Sequence, residues 1–188
     1  MTKEKRKDTD KIIAESFKAL LRKYPMEKIT VKEITESAGV IRPTFYNHFK
    51  DKYDVLEYVI WNELLLVIKP LLLNDMVNEG LTLLFNNIKN DKEFYSNAVN
   101  IEGQNSFGII ARKLVSKMLL EVIEEKNIVT HNRYRWLTGN VIAEYYAQSM
   151  CYVAEIWIKT GYLITPAELS EIYEYISRHS MVDVIGEL

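Results

Sequence analysis

The chain has 188 residues, of which 48% are hydrophobic, and its formal net charge is -2. This length and hydrophobic content are enough to bury a substantial core in one or two small domains, which excludes a disordered protein. The single cysteine, Cys151, excludes an internal disulfide and is expected to be a small buried apolar side chain.

Charge is distributed unevenly along the chain. Residues 1–55 contain thirteen Lys and Arg against nine Asp and Glu, a net charge of +4, whereas residues 56–188 contain eleven against seventeen, a net charge of -6. The positive charge is therefore concentrated at one end, where phosphates could bind. The basic run at residues 3–7 is either an arm that reaches the DNA backbone or minor groove, or a solvated tail.

The first helix is predicted from about Asp8 to Tyr24, where apolar residues recur at helical spacing. A second helix should begin at Val31, because Thr30 and Glu33 form a T-x-x-E capping box. Gly39 suits the positive φ at which a helix ends and the chain turns. The sequence thus predicts two helices followed by a tight turn.

A short third helix should follow this turn. Pro43 is tolerated only in the first turn of a helix, so the helix should begin near Ile41 or Arg42. Phe45 and Phe49 lie four residues apart and are expected to face inward. The outer surface then carries Arg42, Thr44, Tyr46, Asn47 and His48. This mixture of a cation, hydrogen-bonding groups and an aromatic ring suits base edges and phosphates in a major groove. The alternative is a helical hairpin with a solvated face, which would usually carry Lys and Glu instead.

The segment GVIRPTFYNHFKDKYDVL closely resembles the signature of TetR-type transcriptional regulators, a Gly turn followed by a T-[LF]-Y-x-H-F-x-x-K core. The resemblance covers roughly the first third of the chain. It implies an all-α fold, with a three-helix DNA-binding domain at 1–54 that contains a helix-turn-helix, and a helical ligand-binding and dimerisation domain at 55–188. The family commonly has Ser or Thr just before the recognition helix, where this chain has Ile41, and a missing cap costs about 1 kcal/mol.

The resemblance also implies a role for individual residues. Thr30 would direct the first-turn amides of its helix towards a phosphate. Lys52 would pair with a phosphate at the start of the next helix. The predicted DNA-binding residues are Thr30, Arg42, Pro43, Thr44, Tyr46, Asn47, His48 and Lys52. Their partner would be a double-stranded, palindromic operator.

The remainder of the chain is predicted to be almost entirely helical, because strand-like alternation is absent and the whole chain contains only seven Gly and four Pro. A helix from Tyr53 should connect the two domains and end or kink near Pro70. Further helices are predicted at 76–89, 92–99 and 107–125, with a loop at 100–106.

Two long segments close the chain. The first spans roughly Asn132 to Lys159 and is apolar around most of its circumference, which indicates burial on more than one side. The second begins at a capping box of Thr165 and Glu168, with Pro166 at the first helical position, and is predicted to continue to Ser180. In the family resemblance, the last two helices of each chain form a four-helix dimer interface.

A homodimer through these two helices would match a palindromic operator. A small-molecule effector in the helical domain at 55–188, which we call the body, would move the connecting helix. This movement would change the affinity for DNA, with a coupling free energy of about 1–3 kcal/mol. Family base rates favour a repressor that the effector releases. The alternative is an activator, or a protein-interaction module of the same fold controlled by a protein partner. The segment WIKTGYLITPAELSEIYEYI resembles, more weakly, a branch that includes activators of dihydroxyacetone-kinase operons.

The chain is rich in aromatic residues, with twelve Tyr and three Trp. The candidates to line an effector cavity are Trp61, Tyr95, Trp136, Tyr145 and Tyr146. The alternative for each is ordinary packing in the core or the dimer interface.

Neither an enzyme nor a metal or cofactor site is expected. The three histidines, at 48, 131 and 179, lack metal-ligand spacing, and a phosphate-binding Gly loop is missing. The charged amino terminus argues against a secretory signal, and the apolar run at 64–73 is too short and too interrupted to span a bilayer. A cytoplasmic protein without membrane association is expected.

Overall fold

The computed structural model describes residues 3–127 and 134–187. Every regular element in these two ranges is helical, which confirms the predicted all-α fold. The helices are α1 (Lys3–Leu21), α2 (Val31–Ala38), α3 (Arg42–His48), α4 (Lys52–Val59), α5 (Leu66–Leu73), α6 (Val77–Asn90), α7 (Lys92–Ala98), α8 (Phe107–Glu125), α9 (Gly139–Lys159), α10 (Pro166–Arg178) and α11 (Met181–Gly186). A 3₁₀ turn at Met26–Lys28 precedes α2, and a π-helical segment at Ile60–Leu65 joins α4 to α5.

Helices α1 to α3 form the amino-terminal unit and share a core in which Phe17, Ile34 and Phe45 are fully buried. α1 begins earlier and ends earlier than predicted, at Lys3 and Leu21. The basic run at residues 3–7 therefore continues the helix and is not an extended tail, since neither Gly nor Pro interrupts the helical pattern there.

One continuous helical rod connects this unit to the body. The backbone stays helical at both junctions, with φ and ψ of -60° and -52° at Val59 and of -63° and -28° at Leu66. The sequence predicts that this helix ends or kinks near Pro70. It continues three residues further, to Leu73, and Leu72 and Leu73 pack against the core. The predicted domain boundary at residue 54 falls inside this rod, so the division into 1–54 and 55–188 stays a prediction.

The body largely follows the predicted helices. α8 has the predicted bounds, and α10 begins at Pro166 behind the predicted capping box. The start of the predicted segment from Asn132 lies outside the described residues, and α9 begins at Gly139. The prediction that α10 runs to Ser180 is wrong. His179 is extended, and a second capping box, of Ser180 and Asp183, starts α11.

α8 and α9 pack closely where Gly108 faces Glu155. A Cβ atom at Gly108 would lie 2.1 Å from Oε1 of Glu155, so any other residue there would require the Glu155 carboxylate to move. Cys151, one turn earlier on α9, is buried as predicted. Burial, with the nearby charge of Glu155, raises the pKa of its thiol to about 12, so the group is an inert thiol at neutral pH.

Within the described ranges, none of the helices is long and apolar enough to cross a membrane. The same ranges contain no group of three His, Cys, Asp or Glu side chains placed to hold a metal ion. His131 lies outside them.

Candidate nucleic-acid interface

Both the start of α2 and the turn that follows it have the predicted local interactions. The Thr30 hydroxyl accepts a hydrogen bond from the Glu33 amide at 3.2 Å, and the Glu33 carboxylate accepts one from the Thr30 amide at 2.8 Å. Hydrogen bonds from the hydroxyl and amide of Thr30 lower the pKa of the Glu33 carboxyl. Gly39 ends α2 with a φ of +65°. The helix-turn-helix therefore forms from contacts that span only a few residues.

α3 presents a polar and aromatic outer surface. Arg42, Pro43, Tyr46 and Asn47 are exposed, Thr44 is half-buried, and Phe45 is fully buried beneath them. These side chains project from one short helix whose inner face is anchored by an aromatic core, so their positions on the surface are well defined. They can offer a guanidinium, a hydroxyl, a phenol and an amide to the edges of bases.

Ile41 occupies the N-cap position of α3 and makes no side-chain cap hydrogen bond, as the sequence predicts. Its side chain is 68% exposed next to the outer surface of α3. The apolar group lies beside polar side chains that could face DNA, where the methyl group of thymine is an apolar partner.

His48 was predicted on the outer surface, and that placement is wrong. Its side chain is only 2% exposed, and Nδ1 lies 2.6 Å from Oδ1 of Asp10 on α1. Arg6, one turn before Asp10, donates a hydrogen bond from Nη2 to the carbonyl of Asn47 at 3.4 Å. The carboxyl end of α3 is therefore held by α1, and the imidazole contributes to this attachment.

Lys52 is also engaged within the chain. Its Nζ donates hydrogen bonds to the carbonyls of Met26 at 2.7 Å and Ile29 at 2.9 Å, which joins the start of α4 to the 3₁₀ turn before α2. These bonds use two of its three N–H groups, which differs from the phosphate pairing expected from the sequence. Lys50, two residues earlier, is exposed just after the end of α3 and is absent from the predicted DNA-binding residues. The basic FKDK segment between α3 and α4 is the signal that could have found it.

The five aromatic candidates for an effector cavity do not surround one space. Trp61 lies near α8, with Nζ of Lys117 4.4 Å from its ring centroid. Tyr95 is buried in the core, edge-on to Phe94, and Trp136 is 78% exposed. Tyr145 and Tyr146 are both exposed on α9 and pack edge to face at 5.3 Å.

An apolar cavity of about 350 Å³ lies between α5, α6, α8, α9 and α10, and of the five candidates it includes only Tyr146. Its aliphatic lining consists of Ile68, Leu72, Val77, Leu81, Leu119, Val122 and Met150. Charged side chains at its edge are already paired. Lys126 contacts Asp75, and Arg178 lies 2.6 Å from Glu174. The size is that of a small-molecule site, and the lining favours an apolar ligand.

Two family models match the chain on either side of the π-helical segment. Residues 15–59 match the model described as bacterial regulatory proteins, tetR family. Residues 75–179, more than half of the chain, match a transcriptional regulator C-terminal region of the same family.

The chain belongs to the TetR family. It is therefore a DNA-binding transcriptional regulator and not an enzyme. TetR-family regulators typically dimerise.

Individual relatives agree with this membership. The chain is 27% identical over 162 residues to the HTH-type dhaKLM operon transcriptional activator DhaS of Lactococcus lactis subsp. lactis (strain IL1403), a match that covers 81% of each chain. It is also similar to a solved structure of the dihydroxyacetone kinase operon activator DhaS, with 26% identity, a TM-score of 0.56, and coverage of 90% of this chain and 92% of the other. This TetR-family chain is thus related to DhaS.

Two more distant TetR-type structures share the fold. NalD, the secondary repressor of the MexAB-OprM multidrug efflux pump in Pseudomonas aeruginosa, is 14% identical with a TM-score of 0.59, and the match covers 94% of this chain and 97% of that one. A TetR-family transcriptional regulator from Syntrophomonas wolfei str. Goettingen is 18% identical with a TM-score of 0.58, over 88% and 91% of the two chains.

Proposed function

We propose that the chain binds a palindromic operator as a homodimer, with α3 of each protomer in a major groove, and that an apolar effector in the body cavity changes its affinity for DNA. The observation that carries the DNA-contact part is the outer surface of α3. Arg42, Tyr46 and Asn47 are exposed there on a helix that is fixed from behind by Phe45. Thr44 and Pro43 belong to the same surface, and Lys50 is an exposed cation at its edge.

Thr30 contributes differently. Its hydroxyl caps α2 by accepting a hydrogen bond from the Glu33 amide, whereas the amides of Val31 and Lys32 in the same turn have no intrahelical acceptor. A phosphate of the operator is the expected partner of these amides. His48 and Lys52 then act from behind the surface, through Asp10 and through the 3₁₀ turn.

The dimer part is supported by apolar side chains that a single protomer leaves exposed. On α9, Tyr145 is 69%, Tyr152 62% and Ile156 43% exposed, at spacings that place them on one side of the helix. On α10, Ile172 is 44% and Ile176 51% exposed. A second copy that covers both sets would form the four-helix interface that the family resemblance implies.

The two helices that carry these sets are in contact. Ser149, between Tyr145 and Tyr152 on α9, is hydrogen-bonded through Oγ to the Tyr173 hydroxyl on α10 at 3.0 Å. Tyr173 in turn lies between Ile172 and Ile176 in sequence. An interface built on both helices would set the two α3 helices about 34–36 Å apart, one turn of DNA, if it follows the usual symmetric geometry.

The effector part rests on the apolar cavity. Ile68 and Leu72 contribute to its wall and belong to the rod that begins at α4, beside the DNA-binding unit. A ligand in the cavity would press on this rod. Differential binding to two positions of the rod would change the affinity for operator DNA.

The sign of regulation has two candidates. A repressor released by its effector follows from the family base rate stated above. An activator is the second candidate, and the specific observation in its favour is the 27% identity to the activator DhaS over 81% of both chains.

The experiment is binding of the purified protein to duplex DNA from upstream of its own gene and to random duplex, across a series of salt concentrations. Tight, sequence-dependent binding with a steep salt slope supports the proposal. If binding is weak and equal on both DNAs, selection from a random DNA pool follows, and failure to select any sequence would contradict it. Transcription in vitro from a promoter with the operator then separates the two signs, since a repressor lowers transcript and an activator raises it.

A further inference from the structure

Four charged residues join α1 to the body, and we refer to them as the α1 ion cluster: Lys18 on α1, Arg22 directly after the end of α1, Glu63 in the π-helical segment, and Asp91 between α6 and α7. Nζ of Lys18 lies 2.5 Å from Oε2 of Glu63 and 3.3 Å from Oδ2 of Asp91. Arg22 donates two hydrogen bonds to the Asp91 carboxylate, at 2.7 and 2.6 Å. Both cations, at and just beyond the end of α1, are thus held by acidic groups from outside this helix.

The cluster is largely shielded from solvent at its centre. Lys18 is 7% exposed, and its Nζ lies 5.9 Å from the ring centroid of Phe94. Burial by itself lowers the pKa of Lys18, but the hydrogen bond and charge of Glu63, with the charges of Glu15 and Asp91, outweigh it and raise the pKa. Lys18 is therefore a buried cation, and a buried cation requires partners at fixed positions.

The end of α1 is held by a further contact with the body. Asn97 on α7 donates hydrogen bonds from Nδ2 to the carbonyls of Leu21, at 2.7 Å, and Arg22, at 3.2 Å. These carbonyls lie at the carboxyl end of a helix, where no intrahelical donor is available. The amide of Asn97 therefore caps α1 from outside.

The cluster connects the two parts of the chain that match separate family models. Lys18 and Arg22 lie within the matched residues 15–59, Asp91 lies within 75–179, and Glu63 lies between them. The contacts span 45 residues from Lys18 to Glu63 and 69 from Arg22 to Asp91. They form a second attachment between the DNA-binding unit and the body, in addition to the continuous rod.

α1 carries this attachment to the recognition helix. Asp10, eight residues before Lys18 and hence about 12 Å along the helix axis, contacts His48 at the end of α3. The rod alone would leave the DNA-binding unit free to bend or rotate about a single helix, above all at a π-helical segment, where helices commonly kink. A second attachment on a different helix removes that freedom.

We propose that Lys18, Glu63 and Asp91 are positioning residues for operator recognition: they fix the orientation of the DNA-binding unit on the body, and so determine the half-site spacing that the dimer accepts. The proposal rests on operator binding by a homodimer, as proposed above.

The first test compares Lys18→Met with Lys92→Met. Lys92 is an exposed lysine next to Asp91 on α7, so its replacement removes the same charge without breaking the attachment. Each protein is titrated with the selected operator and with a derivative that has one base pair inserted between the half-sites. Wild type and Lys92→Met should bind the derivative at least about tenfold more weakly than the selected operator. Lys18→Met should lose about threefold of its affinity or less on the same derivative. An equal loss in all three proteins would overturn the proposal.

A double variant separates positioning from a loss of stability. Lys18→Met leaves the Glu63 carboxylate without its main partner, whereas Lys18→Met combined with Glu63→Met replaces the pair by apolar side chains, a change that folded proteins often accept. If the single variant acts only by destabilising the fold, the double variant should regain the thermal midpoint of the wild type. It should then also bind the operator with the inserted base pair as weakly as the wild type does. The proposal expects that the double variant regains the thermal midpoint but still loses little affinity when the base pair is inserted.

A measurement without DNA distinguishes failure of this proposal from failure of the proposed function. Spin labels at Glu36→Cys on α2 and Glu102→Cys in the body, in a Cys151→Ala background, report their separation by double electron–electron resonance. Excess unlabelled protein ensures that each dimer carries one labelled chain. Lys18→Met should broaden the distance distribution relative to Lys92→Met. An unchanged width would overturn the second attachment, whereas a broadened width in a protein that binds no operator would support the attachment and contradict the proposed function.

Discussion

The imidazole of His48 and the carboxylate of Asp10 lie 2.6 Å apart, which joins the last residue of α3 to the middle of α1. The His48 side chain is almost completely buried by this contact. It can therefore influence DNA binding by holding the recognition helix in place, without touching DNA itself.

This relationship predicts strong coupling between the two residues. His48→Ala and Asp10→Ala should each weaken operator binding, and the double variant should be about as weak as either single variant, because all three remove the same contact. Operator affinities of the four proteins form a double-mutant cycle that measures the coupling. Additive losses would indicate that His48 contacts DNA independently of Asp10.

Arg42 and Tyr46 should determine sequence specificity. Arg42→Ala and Tyr46→Ala are each expected to cost about 1–3 kcal/mol of binding to the operator, with little change on random DNA, because contacts to base edges carry sequence information. Competition titrations on both DNAs measure the ratio. Tyr46→Phe is the matched control that separates the hydroxyl from the ring, and equal losses on both DNAs would contradict the assignment.

Lys50 and Lys52 should behave differently although they are two residues apart. Lys50→Ala should flatten the salt dependence of DNA binding by about one unit per half-site and leave stability unchanged, as expected for an exposed cation on a phosphate. Lys52→Ala should instead lower the free energy of unfolding by about 1–3 kcal/mol, because the carbonyls of Met26 and Ile29 lose a charged donor.

Urea unfolding and salt-series binding of both variants provide the measurements. A flattened salt slope for Lys52→Ala with unchanged stability would instead support the phosphate contact that the family resemblance implies.

A charge in the exposed apolar surface of α9 should prevent dimerisation. Tyr152→Glu is expected to raise the dissociation constant of the dimer at least about a hundredfold, since a carboxylate would be buried without a partner. Sedimentation velocity over a range of protein concentrations measures it. Ile12→Glu is the control, because Ile12 is 50% exposed on α1. An unchanged dimer in Tyr152→Glu would locate the interface elsewhere.

Filling the apolar cavity should weaken the binding of an apolar ligand. Val77 lines the cavity and is 45% exposed, whereas Val67 is 44% exposed and lies outside it. Val77→Phe should weaken binding of the fluorescent apolar dye 8-anilinonaphthalene-1-sulfonate by about tenfold, because the larger side chain occupies the space. Val67→Phe should bind the dye like wild type. Equal dye binding by both variants would show that the dye uses another surface.

Features with local causes could be predicted from the sequence. The start of α2 follows from the capping box of Thr30 and Glu33, and the start of α10 from Thr165 and Glu168. The turn at Gly39 follows from its positive φ. These interactions join residues no more than four apart, so the order of residues is sufficient to specify them.

Features that depend on distant contacts could not be predicted in this way. The π-helical segment and the continuation of α5 beyond Pro70 contradict local propensity and are stabilised by packing in the core.

The break before α11 has a local signal, the capping box of Ser180 and Asp183, which the apolar periodicity of α10 obscured.

The sequence by itself determined the helical architecture, the helix-turn-helix and the exposed residues of α3, since each follows from capping, turn or periodicity within a few residues. Only the tertiary structure decided that His48 and Lys52 are turned into the chain, that the predicted aromatic residues do not form one cavity, and that Lys18 is paired with Glu63. The physical reason is that a polar side chain takes whichever partner the fold brings within about 3 Å, and these partners lie 23 to 45 residues away in sequence.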